Sequence, residues 1–297
     1  MQMYRSLLFI PGNKPKWMDS ISTLAADAVI LDLEDSVPYN EKNNARKNVV
    51  DALSGLEGRF SPNIFVRINR FKNKFNDEDL EKVLHPNLTG IVIPKVYEPE
   101  EINQLAAKIQ ILENKKGIKE GQIKLLPLLE TAKSMYFCYD IAICNRVIGI
   151  TGLSSKDGDV ERALDTKWTF EGQESLYMKS KVVMSARAAG VTPIGGLWQD
   201  VHNLEGLIAS AQKNRQLGFD GELILHPTNI DIINQTYSPS EEDVAYYQGL
   251  IEVFNEAKEK GDGAIIYDGS HIDNAHVQTA KNILNLYNAF KQNDSNK

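Results

Sequence analysis

Short apolar runs recur along the chain, and several of them break off in a charged or amide side chain. Leu7-Leu8-Phe9-Ile10 stops at the turn signal Pro11-Gly12-Asn13, and residues 28–31 run into Asp32, Glu34 and Asp35. Residues 64–68 carry Arg67 and end at Asn69, 90–94 end at Lys95, and 123–129 end at Glu130. Residues 146–152, 192–196 and 222–227 complete a set of eight strand candidates. Runs of this length bounded by turn and cap signals read as strands buried on both faces. Helical spacing fills the intervals at 14–26, 41–53, 99–113, 131–143, 173–189 and 203–217. Pro15 and Pro99 suit a first helical turn, and Gly190 and Gly218 stand just past helix ends.

Strands alternating with helices in this way predict an α/β fold, a (β/α)8 TIM-type barrel over residues 1–237. A doubly wound sheet is the alternative, but no GxGxxG follows the first strand. Residues 238–297 are expected to form a C-terminal helical extension, with helices near 240–258 and 276–290 and a frayed end from 292. The Gly-bounded apolar segment 263–273 between those helices is a candidate subunit contact.

Composition narrows the function classes. The formal net charge is -7 and the pI about 5.4, which disfavours nucleic acid as a partner. No apolar stretch reaches membrane-spanning length, and strand-like sequence begins too early for a signal peptide, so a cytoplasmic location is expected. Cys138 and Cys144 have neither metal-ligand spacing nor a disulfide framework and read as core thiols.

On the barrel reading the strand tips converge on one rim, where such barrels place their chemistry. Asp32, Glu34, Asp35, Arg67, Asn69, Lys95, Glu130 and the acidic loop with Asp157 and Asp159 would all lie there. Glu130 and an aspartate of the next loop would suit Mg²⁺, a hard cation usually held by one or two carboxylates. Arg67 offers a planar fork for a substrate carboxylate or an enolate. Blander readings stand beside these. Glu130 could be an early-turn helix acid, Asp32 a buried structural acid, and Lys95 a rim ion-pair partner instead of a Schiff-base amine. His202 and His226 read as structural, and His271 as a surface or interface residue.

The ordered motifs are Arg5 to Gly12, Leu31-Asp32-Leu33-Glu34-Asp35, Val66-Arg67-Ile68-Asn69 and Ile93-Pro94-Lys95. Leu128-Leu129-Glu130-Thr131, Gly172-Gln173-Glu174, Leu217 to Gly221 and Ile272-Asp273 continue the series. Together they resemble the citrate lyase β-subunit-like family of the HpcH/HpaI aldolase superfamily, from residue 5 to about 290. The resemblance implies Mg²⁺ held by Glu130 and by Asp159, with Asp157 the fallback because this loop departs from the family's usual Gly-to-Asp spacing. It also implies Arg67 on the 2-oxo acid, and Glu34 and Asp35 organising water. Pro11, Gly12 and Lys14 would lie at the acyl-carrier entrance. Asp273 would complete a neighbouring subunit's site, in what is commonly a homotrimer.

The expected activity is that of a carbon–carbon lyase. It would cleave or form a 3-hydroxy-acyl thioester, such as malyl-, citramalyl- or citryl-CoA, from an acetyl thioester and a 2-oxo acid. The other readings are the β subunit of a multi-subunit citrate lyase acting on an acyl-carrier-protein thioester, a class II aldolase on free hydroxy-oxo acids, and a non-catalytic barrel scaffold.

Overall fold

The structure is a computed structural model that describes residues 4–58, 61–71 and 74–295. The chain divides into two compact units, Met1–Thr236 and Tyr237–Lys297. In the first unit all eight strand candidates form parallel strands: β1 (Ser6–Pro11), β2 (Ala28–Asp32), β3 (Asn63–Arg67), β4 (Gly90–Ile93), β5 (Lys124–Pro127), β6 (Gly149–Thr151), β7 (Thr192–Gly195) and β8 (Gly221–Ile224). They pair in the order β5-β4-β3-β2-β1-β8-β7-β6, and an isolated bridge between Leu125 and Val147 links the two ends. The result is the (β/α)8 barrel that the alternation predicts.

The runs read as continuous apolar sequence because both faces are covered. Leu7, Ile30, Phe65, Val92, Leu126, Ile194 and Leu223, one from each of seven strands, pack together in the barrel core. At the N-terminal end of the barrel, buried Arg5 forms an ion pair with buried Asp27 at 2.8 Å, one residue ahead of each strand. Arg146 grips Glu113 in the same fashion at 2.7 Å. Such pairs at the bottom of a barrel serve stability, leaving the opposite rim for chemistry.

Local chemistry overrides the periodic pattern in places. The expected helix over 14–26 is only a turn, Pro15–Met18, followed by a 3-10 turn at Ile21–Thr23. Ser20 and Thr23 there donate their hydroxyls to the carbonyls of Trp17 and Ser20, a local alternative to helix continuation. The segment after Glu130 is two short helices, Ala132–Tyr136 and Cys138–Ala142, separated at Phe137. The acidic loop is partly helical, with Asp159–Leu164 forming a short helix. Cys138 is buried, whereas Cys144 is only partly covered, so one of the two thiols is not a core residue.

In the second unit, helices Glu241–Glu259 and Asn274–Ser295 flank an antiparallel hairpin of Ile265–Tyr267 and Ser270–Ile272. Ser240 and Asp243 form a reciprocal capping box at the first helix. Leu250, Phe254, Ile272, Val277 and Ala280 make this unit's own core. The last helix continues to Ser295, so the fraying expected from 292 is absent up to that point; residues 296–297, like 1–3, lie outside the described residues.

Replacing Asp27 by alanine leaves the Arg5 guanidinium buried without its carboxylate. A loss of about 3–5 kcal/mol is expected, read as a lower urea midpoint with an unchanged slope; a shift within error would remove the pair from the stability account.

Candidate active site

Register builds the site. In the parallel ladders Pro11 is the partner of Asp32, and Asp32 the partner of Arg67. Side chains at paired positions leave the sheet on the same face, so Asp32 and Arg67 meet as a fork-to-fork pair. Arg67 Nε lies 2.6 Å from Asp32 Oδ1, and Nη2 lies 2.7 Å from Oδ2. Asp32 also accepts the backbone N–H of Glu34 and Ser36, so both of its oxygens are saturated. Burial opposes ionisation of Asp32, but the Arg67 charge and hydrogen bonds win and hold its carboxyl below the usual range. The structural reading of Asp32 therefore describes what it does: it clamps Arg67. The Arg67 guanidinium also lies 4.8 Å from the Phe9 ring.

From this pair the polar groups run around the rim. Arg67 Nη1 stands 3.2 Å from Glu34 Oε2, without hydrogen-bonding geometry, and that buried oxygen has no hydrogen-bond partner. Lys42 donates to the carbonyls of Leu33 and Glu34, each at 2.6 Å, fixing the turn from below. Lys95 Nζ bridges Glu34 Oε1 at 2.8 Å and Asp35 Oδ2 at 2.9 Å, with Asp159 Oδ2 at 4.0 Å. Although burial opposes it, these acids raise the Lys95 pKa, keeping the amine protonated. A Schiff-base lysine needs the opposite shift, so the ion-pair reading of Lys95 is the one the geometry supports. Its backbone has φ +49°, a left-handed value that aims its N–H at Glu130 Oε2, 3.0 Å away.

Glu130 lies three residues past the end of β5. Thr131 caps the next helix in a reciprocal capping box with Ser134, and its hydroxyl donates to Val96 O at 2.7 Å, so the residue after Glu130 is pinned at two points. The Leu129 N–H is taken by Thr151 Oγ1 from β6 at 3.1 Å. Burial pushes the Glu130 carboxyl up to about 7; Arg67 opposes this, while Glu34 and Asp159 add to it. Burial, with Asp35 adding and Arg67 and Lys95 opposing, also raises Glu34.

Glu130, Lys95 and Asp159 line one cavity of about 630 Å³ together with Tyr97, Lys133 and Arg162. Arg162 pairs with Asp159 at 2.7 Å. Asp157 is exposed and outside that lining. Arg67 and Glu34 are also outside it, behind Lys95, whose ammonium contacts the acids on that side. Tyr97, Lys133 and Arg162 were not foreseeable from the strand-tip pattern, because they belong to the helices and loops beyond it. Gly12 N–H donates to Asp32 O at 2.8 Å, and a Cβ at Gly12 would stand equally close to that carbonyl. Pro11 and Gly12 thus brace the Asp32 strand end, while Lys14 is exposed. Asp273 lies in the second unit, where its carboxylate accepts the Ala275 N–H at 2.9 Å and pairs with His276 at 2.8 Å. The hydrogen bond from His276 lowers its pKa.

Among the described residues no three His, Cys, Asp or Glu side chains converge as a ready-made metal cage. Glu130 and Asp159 remain as a pair of carboxylates on one cavity, with a Glu34 oxygen unsatisfied nearby. Two carboxylates and open positions match the way proteins hold Mg²⁺, and a divalent cation would offset the burial and, secondarily, the like charge that lift Glu130.

The chain matches the HpcH/HpaI aldolase/citrate lyase family over residues 5–227. It is 31% identical over 295 residues to citrate lyase subunit beta of Leuconostoc mesenteroides subsp. cremoris, spanning 99% of this chain and 96% of that one. It is 30% identical over 286 residues to (3S)-malyl-CoA thioesterase of Cereibacter sphaeroides (strain KD131), spanning 95% and 93%. The crystal structure of CitE from Mycobacterium tuberculosis in complex with magnesium, acetoacetate and coenzyme A shares the fold, with a TM-score of 0.74 at 24% identity over 96% and 98% of the two chains. The protein belongs to the HpcH/HpaI aldolase/citrate lyase family.

In the metal-free protein, folded Glu130 keeps its proton up to about pH 7, while the unfolded chain loses it near the ordinary glutamate value of 4.5. The folded state then binds the extra proton, so this contribution is present below pH 4.5 and is lost as pH rises through 7. Glu130→Gln is expected to flatten that part of the stability–pH curve, by up to about 3 kcal/mol; equal slopes for both proteins in EDTA would contradict the assignment.

Proposed function

We propose that the protein is a Mg²⁺-dependent carbon–carbon lyase that cleaves or forms a 3-hydroxy-acyl thioester, giving an acetyl thioester and a 2-oxo acid. The observation that carries this reading is Arg67, clamped by Asp32 beside a metal-competent pair of carboxylates on the catalytic rim. The family's citrate lyase and thioester-processing members support the reaction class.

Glu130 and Asp159 would hold the Mg²⁺, whereas Asp157 is exposed and outside the lining of the cavity that the other two share. Bound there, the metal would supply a Lewis acid to the 2-oxo acid. Arg67, fixed on Asp32 and unable to lose its proton, faces the negative charge that develops as the carbon–carbon bond breaks, with no reorganisation needed. Glu34 and Asp35, held by Lys95, orient water beside the bond being made or broken. Pro11, Gly12 and Lys14 lie toward the thioester's entrance. Asp273 moves the proton at the thioester carbon of a neighbouring subunit in a homotrimer; its side chain is about half exposed in the single chain.

No helix among the described residues is long and apolar enough to cross a membrane. A cytoplasmic location is part of this reading. The substrate carrier is coenzyme A or an acyl carrier protein. The likeness to a citrate lyase subunit beta along almost the whole chain favours, as a second reading, the β subunit of a multi-subunit lyase acting on an acyl-carrier thioester.

Purified protein with Mg²⁺ is expected to release 2-oxo acid from at least one of malyl-CoA, citramalyl-CoA and citryl-CoA, and EDTA or Glu130→Ala to abolish the release. Silence on all three, with activity on an acyl-carrier-protein thioester, would select the second reading. Arg67→Lys keeps the charge but loses the fork, and kcat should fall by about 10²–10³. Mg²⁺ affinity should drop sharply in Asp159→Asn and hardly change in Asp157→Asn; the reverse pattern would exchange the two roles. Asp273→Asn should lose turnover while binding metal and 2-oxo acid normally.

A further inference from the structure

A second cavity, of about 340 Å³, opens between helices Gln173–Ala189 and Leu204–Leu217 of the barrel unit. Trp168, Phe170 and Trp198 form its aromatic walls, with Phe170 and Trp198 edge to face at 6.1 Å. Two ammonium groups reach it from the two helices, Lys179 and Lys213, against a single carboxylate in the lining, Glu171. None of these residues has a part in the reaction proposed above.

Neither lysine is used up by the protein. Lys179 Nζ donates to Asn214 Oδ1 at 3.0 Å, and Lys213 Nζ donates to Phe170 O at 3.0 Å, one of three N–H donors in each case. Lys213 also sits 4.2 Å from the centre of the Phe170 ring. Burial lowers the Lys179 pKa, opposed by Glu222 and Glu174, with Lys213 a smaller addition to the lowering. An anion between the two ammonium groups would fill their unused donors. The volume is that of a small-molecule pocket, with apolar walls and a few convergent polar groups.

The cavity is also tied to the metal-site loop. Glu161, two residues after Asp159 on the short helix, accepts the backbone N–H of Trp168 through Oε1 at 2.8 Å and the backbone N–H of Asp157 through Oε2. One carboxylate thus clips the aromatic wall to the turn that delivers Asp159.

We propose that this cavity is an effector site for a small organic anion with a flat apolar portion, an aryl carboxylate or aryl phosphate in chemistry. Lys179 and Lys213 take the anionic group, and Trp168 and Trp198 take the flat portion. Occupancy holds the 157–168 segment through Glu161 and thereby strengthens Mg²⁺ binding at Asp159. By linkage the metal must strengthen anion binding by the same factor. This goes beyond the proposed reaction, and its test needs no turnover.

Phenyl phosphate is the probe, titrated into full-length Trp17→Phe protein, so that the tryptophan emission comes from Trp168 and Trp198 alone. Saturable quenching at millimolar probe is expected, with inorganic phosphate binding about tenfold more weakly for want of a ring contact. Lys213→Gln, at an exposed position that should not disturb folding, is expected to weaken the probe by about tenfold; Lys179→Met serves as the second variant. In a parallel titration, saturating probe should tighten Mg²⁺ about fivefold or more, and Glu161→Gln should reduce that gain. Absence of saturable quenching, or binding indifferent to both lysine variants, would overturn the site. Probe binding with unchanged Mg²⁺ affinity would overturn the link to Asp159. Because both readouts are equilibrium binding, a protein inactive on every thioester would still give a clear answer.

Discussion

The register that pairs Asp32 with Arg67 is the constraint on which the rest of the rim depends. A guanidinium at the tip of a buried strand is costly to place unless a carboxylate meets it with matching geometry. Here the ladder itself supplies that match, because paired residues of neighbouring parallel strands leave the sheet side by side. A slip of one residue in β2 or β3 would turn one of the two side chains to the other face of the sheet. The apolar runs that fix the strands in the core, with Phe65 and Ile30 at its centre, therefore also fix the position of the charge. Packing and chemistry are specified by the same residues.

Once Arg67 is set, the remaining polar groups settle by charge balance. Glu34 turns to Arg67 on one side and Lys95 on the other, and Lys95 collects Asp35 as well. Glu130 sits where burial and two further acids crowd it, answered at short range by a backbone N–H. A rim that carries more carboxylates than it can comfortably ionise holds its own affinity for cations. The backbone strain at Lys95 belongs to the same economy, since a left-handed turn there lets one residue serve Glu34 through its side chain and Glu130 through its main chain.

Much of this was legible in the sequence. Each strand could be read because it is buried on both faces and must be apolar throughout, so the charge that ends it stands out. Gly190 and Gly218 marked helix ends for the same kind of reason, both adopting positive φ. The helix expected over 14–26 failed because hydroxyls at Ser20 and Thr23 compete for carbonyls, a local effect that apolar periodicity does not record. The site was less legible than the barrel. Asp32 and Arg67 are neighbours only once the register is known, and Tyr97, Lys133 and Arg162 reach the cavity from outside the strand pattern. Asp157 and Asp159 are equivalent in the sequence pattern; only the short helix from Asp159 shows that Asp159 lines the cavity and Asp157 is exposed outside that lining.

The seam between β5 and β6 sets the two halves of the site apart. Everywhere else the strands are joined by continuous ladders, but here the join is the bridge at Leu125 and Val147, with the Thr151 hydroxyl completing it nearer the rim. Glu130 leaves from one side of that seam and the Asp159 loop from the other. The spacing between these two carboxylates is accordingly the compliant dimension of the rim, while the Asp32–Arg67 spacing is the stiff one. With Glu130 and Asp159 as the proposed metal ligands, a barrel built this way would adjust its grip on an ion of a different radius without moving the Asp32–Arg67 pair.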